Sequence, residues 1–320
     1  MIYLLTLLGF ALLIKGADWL VDGSIAVASR LGVSHLIIGL TIVSMGTSMP
    51  ELIIGVIASV EGRSGLAIGN VLGSNIANVL LILGVTAVVC DLPVRRNTIL
   101  SEVPFSLAAA LLVGFLANSS LWYEQEKGLH ISRGDGVIIL FFFILFMAYV
   151  LTIAREDKKS RETDAAVPAT DMRKDILLIV AGAGGLFLGG KFVVDGAVHL
   201  AKLFGLSETF IGLTVVALGT SLPELVTSIS AALKKNTDIA VGNAVGSNIF
   251  NLLWILGINA LICPLPFDVA SNMDLLVVIA SSCLILLALM IGRRMTIKKV
   301  EGIVFLLAYA AYLYFVVERG

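Results

Sequence analysis

Two short motifs hold the residues of this sequence that are best suited to bind a cation. The first is Gly46-Thr47-Ser48-Met49-Pro50-Glu51, and the second is Gly219-Thr220-Ser221-Leu222-Pro223-Glu224. Each motif places a carboxylate, two hydroxyls and a proline inside a long apolar run. Burying an ionisable residue within a membrane is expensive, so its presence indicates a functional site. The two matched motifs therefore predict a pair of functional acids at membrane depth.

The spacing of the first motif predicts a cation-binding face on a broken helix. Ser44, Thr47 and Glu51 share one side of a helix because they stand three and seven residues apart. Pro50 has no backbone N–H, so the Gly46 carbonyl loses its helical donor and becomes free to coordinate an ion. The second motif repeats the pattern with Ala217, Gly219, Thr220, Pro223 and Glu224.

A stripe of amide and hydroxyl side chains follows each motif, at intervals of four residues. The stripes are Asn70, Ser74 and Asn78 in the first copy and Asn243, Ser247 and Asn251 in the second. Glycines in a GxxxG pattern accompany both stripes and let helix backbones approach closely. All of these candidate ligands are hard oxygens, which suit Ca²⁺ and Na⁺, whereas the lack of Cys and His argues against zinc or copper.

The charge of the predicted site favours exchange over simple passage. Two glutamates give a charge of −2, which one Ca²⁺ or two Na⁺ would neutralise. An empty site of this charge would be costly to enclose between two apolar gates. The site is therefore expected to switch its access from one side of the membrane to the other only when one ion type or the other is bound.

The composition identifies a membrane protein. The chain has 320 residues, of which 58% are hydrophobic and 14% charged, with a mean hydropathy of +1.01. About a quarter of the residues of a soluble domain are charged. Ten apolar segments of spanning length can be marked: 2–29, 36–60, 66–90, 98–117, 135–154, 175–200, 209–233, 239–262, 272–292 and 300–317. The three cysteines lie in or beside these segments and indicate neither a disulfide framework nor a metal cluster.

The sequence contains an internal repeat. Shifting it by 173 residues aligns 16–93 with 189–266 without a gap, and 35 of the 78 aligned pairs are identical. Because each repeat has five predicted spans, the two halves must have opposite topology, which is the usual plan of a secondary transporter. The predicted fold is an all-α membrane protein of ten transmembrane helices in two inverted five-helix repeats.

The predicted domains are a first repeat at 1–154, a charged cytoplasmic linker at 155–174 and a second repeat at 175–320. Lys and Arg are concentrated in the loops that follow odd-numbered spans, so the positive-inside rule places those loops in the cytoplasm and both termini outside. The expected location is the cell membrane. No basic cluster is rich enough to indicate a nucleic-acid partner, and no protein partner is implied. Lys15 with Asp18, and Lys191 with Asp195, are spaced to pair on their own helices.

The two motifs and the Gly-Asn-x-x-Gly-Ser-Asn-x-x-Asn blocks that follow them resemble the alpha-repeats of the sodium/calcium exchanger family, at about 39–78 and 212–251. The resemblance covers essentially the whole chain. It implies an antiporter that exchanges Ca²⁺ for Na⁺ by alternating access, with spans 1 and 6 sliding across a rigid core and without a cofactor. Export of Ca²⁺ is the expected direction.

The resemblance also assigns roles to individual residues. Ca²⁺ ligands would be Glu51 and Glu224, together with the backbone oxygens of Thr47 and Thr220. Na⁺ sites would draw on the two glutamates and on Ser44, Ser48, Ser74, Ala217, Ser221 and Ser247, of which Ser44 and Ala217 would act through their carbonyls. Asn78 and Asn251 would line the site. Some family members carry aspartate at the position of Asn251, so this chain resembles the potassium-independent type.

Other functions fit parts of the pattern. Ca²⁺/H⁺ exchange, with the glutamates as proton carriers, is the closest alternative, and other divalent cations could replace Ca²⁺. The serine in the Gly-Asn block favours Na⁺ over H⁺, because proton-coupled relatives place a glutamate there. A cation channel could use the same oxygens. An intramembrane hydrolase is disfavoured, because no His or Lys base accompanies the hydroxyls within the spans. The chain is therefore predicted not to be an enzyme.

Overall fold

The computed structural model of the protein describes residues 2–95, 98–121, 128–161, 171–204, 217–291 and 295–319, and most of them are helical. The helices of the first half are α1 (Ile2–Leu31), α2 (His35–Ile38), α3 (Ser44–Thr47), α4 (Met49–Val60), α5 (Ser64–Ile76), α6 (Gly84–Val89), α7 (Val103–Ala117) and α8 (Arg133–Arg161). Those of the second half are α9 (Met172–Leu203), α10 (Ala217–Thr220), α11 (Leu222–Leu233), α12 (Thr237–Ile249), α13 (Leu256–Ile262), α14 (Ser271–Ile291) and α15 (Lys299–Arg319).

Wider π-helical turns interrupt several of these helices. Gly39–Val43 joins α2 to α3, Ala77–Leu83 joins α5 to α6, and Phe250–Ile255 joins α12 to α13. A fourth such segment, Thr98–Glu102, leads into α7. π-Helical turns are rare and occur frequently at functional sites. Two of them contain Asn78 and Asn251, the last residues of the polar stripes.

Two short antiparallel ladders connect the halves of the chain. Strand β1 (Leu92–Pro93) pairs with β4 (Thr296–Ile297), in the register Leu92↔Ile297 and Pro93↔Thr296. Strand β2 (His130–Ile131) pairs with β3 (Leu265–Pro266), in the register His130↔Pro266 and Ile131↔Leu265. Each ladder therefore joins a loop of the first half to a loop of the second half.

The described helices are those of a multi-pass membrane protein. Eight are long and apolar enough to cross a membrane: Ile2–Leu31, Gly65–Val89, Leu100–Ala117, Arg133–Asp157, Met172–Leu200, Thr237–Ile262, Ser271–Met290 and Lys299–Arg319. The pair His35–Thr47 and Met49–Val60, bent by 47°, supplies a ninth candidate. The predicted span 209–233 begins outside the described residues, which include its last part as the short apolar helix Leu222–Leu233. The count of ten spans therefore stays a prediction.

The two helices that carry the polar stripes form the centre of the protein. In Gly65–Val89 and in Thr237–Ile262, 78% of the most apolar stretch is buried. The corresponding figure for Arg133–Asp157 is 17%, so that helix lies at the periphery. The central position of the stripe helices explains how their short amide and hydroxyl side chains can be shielded from lipid.

Helices α1 and α9 pack against each other through glycines spaced seven residues apart. This glycine seam consists of Gly9, Gly16 and Gly23 on α1 and Gly182, Gly189 and Gly196 on α9. A methyl group on Gly16 would lie 2.8 Å from the Gly182 carbonyl oxygen, and one on Gly9 would lie 2.9 Å from the Gly189 carbonyl oxygen. These contacts also show that the two helices run antiparallel. Backbone packing of this kind joins α1 and α9 into one helix pair.

Ion pairs tie this helix pair together and tie it to the rest of the protein. The Arg30 guanidinium on α1 lies 3.2 Å from an Asp175 carboxylate oxygen on α9. Elsewhere along α1, Lys234 at the end of α11 lies 2.8 Å from Asp22 and 3.3 Å from Asp18. The predicted partner of Asp18 on its own helix was Lys15, which does attract the Asp18 carboxylate electrostatically, but the ion pair is made by Lys234. Lys234 forms the bonded ion pair because α11 packs along α1.

Helices α8 and α9 extend into the predicted linker. Residues 155–161 belong to α8 and residues 172–174 belong to α9, whereas 162–170 lie outside the described part of the chain. Cys90, Cys263 and Cys283 are free thiols.

Candidate ion-binding site

Both acidic motifs form helix breaks. Helix α3 ends at Thr47 and α4 begins at Met49, and in the second copy α10 ends at Thr220 and α11 begins at Leu222. The residues at the breaks, Ser48 and Ser221, have nearly identical backbone angles, with φ/ψ of −82°/7° and −87°/2°. A proline in the first turn of α4 and of α11 causes the break, because it cannot donate to a carbonyl of the preceding turn. Each glutamate therefore lies in the first turn of a new helix.

Glu51 is almost completely buried and only partly satisfied. The residue is 1% exposed. The Ser74 hydroxyl donates a hydrogen bond to its Oε1 at 3.4 Å. The Thr220 hydroxyl, from the other motif, also interacts with this carboxylate. Asn70 donates its amide to the Glu51 backbone carbonyl at 3.4 Å. Oε2 has no hydrogen-bond partner among the described residues.

Glu224 has a closely related environment. It is also 1% exposed, and Ser48 donates its hydroxyl to Oε1 at 3.0 Å. The Ser48 oxygen lies 3.0 Å from the Ser247 hydroxyl as well, so a chain of polar groups crosses from one repeat to the other. Asn243 donates its amide to the Glu224 backbone carbonyl at 3.3 Å. Within the described residues, Oε2 of Glu224 likewise has no hydrogen-bond partner.

The two halves of the site exchange ligands across the repeat. Thr47 and Ser48 of the first motif contact Glu224 of the second, and Thr220 of the second contacts Glu51 of the first. The carboxylates are close enough to repel one another. None of the Lys and Arg side chains in the described ranges forms an ion pair with either glutamate. Buried charges without partners are costly, so this arrangement is suited to a cation placed between the two acids.

The threonine of the first motif has several polar neighbours. The Thr47 hydroxyl lies 3.3 Å from the Ser44 carbonyl oxygen and 3.1 Å from the Asn243 amide oxygen. The Ser44 hydroxyl donates to the Thr41 carbonyl at 3.1 Å.

The ends of the polar stripes differ between the two halves. Asn78 donates its amide to the Asn248 side-chain oxygen at 3.0 Å, while its own Oδ1 has no partner among the described residues. Neither Nδ2 nor Oδ1 of Asn251 has a partner there, although this residue is only 1% exposed. The Ser221 hydroxyl is unpartnered in the same part of the chain. Asn78, Asn251 and Ser221 therefore keep buried polar atoms without hydrogen bonds in the described part of the chain.

The structure brings most of the predicted site residues together. Ser74 and Ser247 each contact a glutamate or its serine partner. Ser44 and Thr47 begin and end α3, and Ser48 lies at the break that follows. Ala217 begins α10, and its side chain lies outside the described atoms. In the part of the chain that the structure describes, no group of three or more His, Cys, Asp or Glu residues could hold a metal ion.

Sequence reasoning missed two contributors. Ser228 accepts a hydrogen bond from the Asn243 amide at 3.0 Å, which supports the amide that binds the Glu224 carbonyl. In the first repeat Gly55 takes the position of Ser228, and the Asn259 amide packs directly against it. The signal for Ser228 was its place four residues after Glu224. Asn259 gave no signal, because its counterpart in the first repeat is Thr86.

A cavity of about 280 Å³ lies between α9 and the two helix breaks. Its lining includes Pro50, Thr220 and Pro223 from the motifs and Lys191 and Asp195 from α9. The cavity therefore adjoins the buried acids on the side that faces the helix pair of α1 and α9.

Comparison with known proteins identifies the family. The family described as "sodium/calcium exchanger protein" matches residues 1–152 and 174–318 of this chain. The chain belongs to the sodium/calcium exchanger family. Members of this family are membrane antiporters, so the protein is a transporter and not an enzyme.

Individual exchangers are similar over nearly the full length. The sodium/calcium exchanger MaX1 of Methanosarcina acetivorans is 34% identical, over 97% of this chain and 97% of its own. A solved structure of the sodium-calcium exchanger NCX_Mj, soaked with Na⁺ and Sr²⁺, is 31% identical. It matches with a TM-score of 0.81 over 98% of this chain and 99% of its own. The Ca²⁺/H⁺ antiporter ChaA of Bacillus subtilis is also similar, with 25% identity over 83% of this chain and 78% of its own.

Proposed function

We propose that this exchanger moves Ca²⁺ in one direction and Na⁺ in the other by alternating access, and that it exports Ca²⁺ from the cytoplasm. One observation carries the proposal: two buried glutamates, each with an unpartnered carboxylate oxygen, accept hydrogen bonds from hydroxyl groups supplied by the opposite repeat. A site of charge −2 is neutralised by one Ca²⁺ or by two Na⁺, so the same oxygens serve both ions in turn.

The proposed ligands follow from the chemistry of each position. Ca²⁺ binds to the carboxylates of Glu51 and Glu224 and to the backbone oxygens of Thr47 and Thr220. Na⁺ binds at flanking positions formed by the glutamates, the hydroxyls of Ser48, Ser74, Ser221 and Ser247, and the carbonyls of Ser44 and Ala217. Asn78 and Asn251 line the site. Hard oxygen ligands of this kind suit both ions, and no further cofactor is needed.

The proposed architecture is two inverted five-helix repeats, 1–154 and 175–320, joined by a cytoplasmic linker at 155–174. Both termini lie outside the cytoplasm, and the protein resides in the cell membrane. The crosswise contacts between the two motifs support the repeat, because an inverted pair of this kind places both motifs at the same depth. In the exchange cycle the helix pair of α1 and α9 moves against the central helices.

Ca²⁺/H⁺ exchange is the alternative. Two observations favour it: the likeness to ChaA, and the burial of both glutamates, which would let them carry protons. The neutral serines at 74 and 247 favour Na⁺, because a hydroxyl is a ligand for Na⁺ and does not itself take up a proton at physiological pH.

The test is uptake of ⁴⁵Ca²⁺ into proteoliposomes with Na⁺ or K⁺ inside, at equal pH on both sides. We expect uptake that requires internal Na⁺ and that is lost in Glu51→Gln and in Glu224→Gln. Glu318→Gln is the matched control, because it makes the same chemical change at an exposed position in α15. Uptake driven by a pH gradient without Na⁺ would replace the proposal with proton exchange. Uptake that needs no counter-ion would contradict both forms of exchange.

A further inference from the structure

The ion pairs of Lys234 fix the helix pair to the rest of the protein at one end of the site. Lys234 contacts the carboxylates of Asp18 and Asp22 and also donates to the Asp18 carbonyl at 3.2 Å. Ser230, one turn earlier on α11, donates to the Asp18 carboxylate at 2.9 Å. Any movement of α1 along α11 must break this cluster.

The internal repeat places a second pair of charges at the corresponding positions, with the signs exchanged. At the shift of 173 residues, Glu61 corresponds to Lys234 and Lys191 corresponds to Asp18, whereas Asp22 corresponds to Asp195 and keeps its sign. In the present pair the cation follows α11 and the anion lies on α1, and in the corresponding pair the anion follows α4 and the cation lies on α9. An ion pair is therefore available at both positions.

In this structure the second pair is apart. Glu61 lies 3.4 Å from Arg63, both of them largely exposed. Lys191 makes no ion pair within the described residues, and with Asp195 it lines the cavity that leads to Thr220. One end of the site is thus held by an ion pair, while the other end is open to a cavity.

The two charge clusters lie at different levels of the helix pair. Gly16 lies against Gly182 in the antiparallel glycine seam, so Asp18 lies beside the residues just before Gly182. Lys191 is about eleven residues further along α9, which at a rise of about 1.5 Å per residue is roughly 16 Å away. The two clusters therefore lie toward opposite ends of the helix pair.

We propose that these clusters are two latches of reversed charge that close in alternation. Lys234 with Asp18 and Asp22 closes one access path in the present state, and Glu61 with Lys191 closes the other after the helix pair has moved. The proposal rests on the proposed function, because it needs alternating access. Exchanging one exposed ion pair for another keeps the two states close in free energy, since each pair contributes little.

The first test is cross-linking in a background in which the native cysteines Cys90, Cys263 and Cys283 are replaced by alanine. One double variant carries Glu61→Cys with Lys191→Cys, and the other carries Asp18→Cys with Lys234→Cys. We expect both pairs to form disulfides under mild oxidation in membranes. We also expect Na⁺ or Ca²⁺ to change the two yields in opposite directions. A pair at 61 and 191 that never cross-links, or two yields that rise together, would overturn the proposal.

The second test is a charge exchange that leaves the fold largely intact, because Glu61 is exposed. We expect Glu61→Lys alone and Lys191→Glu alone to slow transport about twofold to fivefold, the range expected for loss of an exposed ion pair. The double variant should recover most of the rate. No recovery in a double variant that is made and inserted normally would count against the latch.

The outcome for the latches is distinguishable from that for the transported ions. If wild-type protein takes up Ca²⁺ without requiring Na⁺ while the two cross-links still alternate, the proposed coupling ion fails and the latches stand. If uptake requires Na⁺ but the cross-links do not alternate, the latches fail and the proposed function stands.

Discussion

The glycine seam makes a prediction that separates a packing role from an effect of helix propensity. The change is Gly16→Ala, at a position where α1 meets α9 backbone to backbone. The added methyl would lie 2.8 Å from the Gly182 carbonyl oxygen, 2.8 Å from the Leu186 backbone nitrogen and 3.1 Å from the Gly185 carbonyl carbon. These are backbone atoms of a helix, so they can yield only if the two helices move apart.

The size of the effect follows from two opposing contributions. Overpacking of this kind costs about 1–3 kcal/mol, and three close backbone contacts place Gly16 near the upper value. Replacing glycine by alanine within a helix returns about 1 kcal/mol. The net loss in the free energy of unfolding is therefore about 2 kcal/mol. At an unfolding entropy of about 2.1 cal/mol/K per residue, a chain of 320 residues should melt about 3 °C lower.

The measurement is thermal unfolding of the purified protein in detergent, followed by tryptophan fluorescence, beside the transport assay in proteoliposomes. Gly184→Ala is the matched control, because it makes the same change on α9 where no described atom lies within 4 Å of the added methyl. The control should melt at the wild-type temperature or a few degrees higher, and it should transport normally. The seam variant should lose both stability and transport rate.

If the glycine seam holds α1 and α9 together, the change in melting temperature must be negative for Gly16→Ala and zero or positive for Gly184→Ala. If Gly16→Ala and Gly184→Ala both melt at or above the wild-type temperature, the two helices are not held at the backbone distance that the structure gives. In that case α1 and α9 would not form one unit. If both variants lose stability equally, the loss reflects glycine content in general and not the seam.

Two further predictions concern the site. Ser48→Ala should lower both the melting temperature and the apparent affinity for Na⁺. The reason is that the Ser48 hydroxyl donates a hydrogen bond to a Glu224 carboxylate oxygen. A hydrogen bond to a charged group contributes about 1.5–3 kcal/mol to stability. Ser221→Ala should lower only the affinity for Na⁺, since that hydroxyl has no hydrogen-bond partner among the described residues. For both variants, Na⁺ titrations of Ca²⁺ efflux measure the affinity and melting curves measure the stability. Asn251→Asp should add a third negative charge that one Ca²⁺ no longer neutralises, so Ca²⁺ exchange should slow several-fold or come to require an additional monovalent cation. Unchanged exchange in flux assays with and without K⁺ would show that this side chain does not face the ions.

Much of the candidate site could be predicted because its residues occur in short local sequence motifs. The prolines at 50 and 223 predicted both helix breaks, since a residue without an N–H ends the preceding hydrogen-bond series wherever it stands. The membrane class followed from composition, and the family followed from the repeated motifs. Each of these features depends on residues close together in the chain or on a comparison of the chain with itself.

Tertiary structure decided which groups meet. The sequence placed Ser48 beside Glu51, but its hydroxyl binds Glu224, because the two broken helices cross and each motif completes the other. It paired Asp18 with Lys15 by helical spacing, and the packing of α11 along α1 adds Lys234, which makes the ion pair. Local periodicity specifies the face on which a side chain lies. Only the packing of helices distant in sequence specifies the group that the face meets. In this exchanger such packing forms the glycine seam and the ion pairs of Lys234, and it brings the groups of the candidate ion site together.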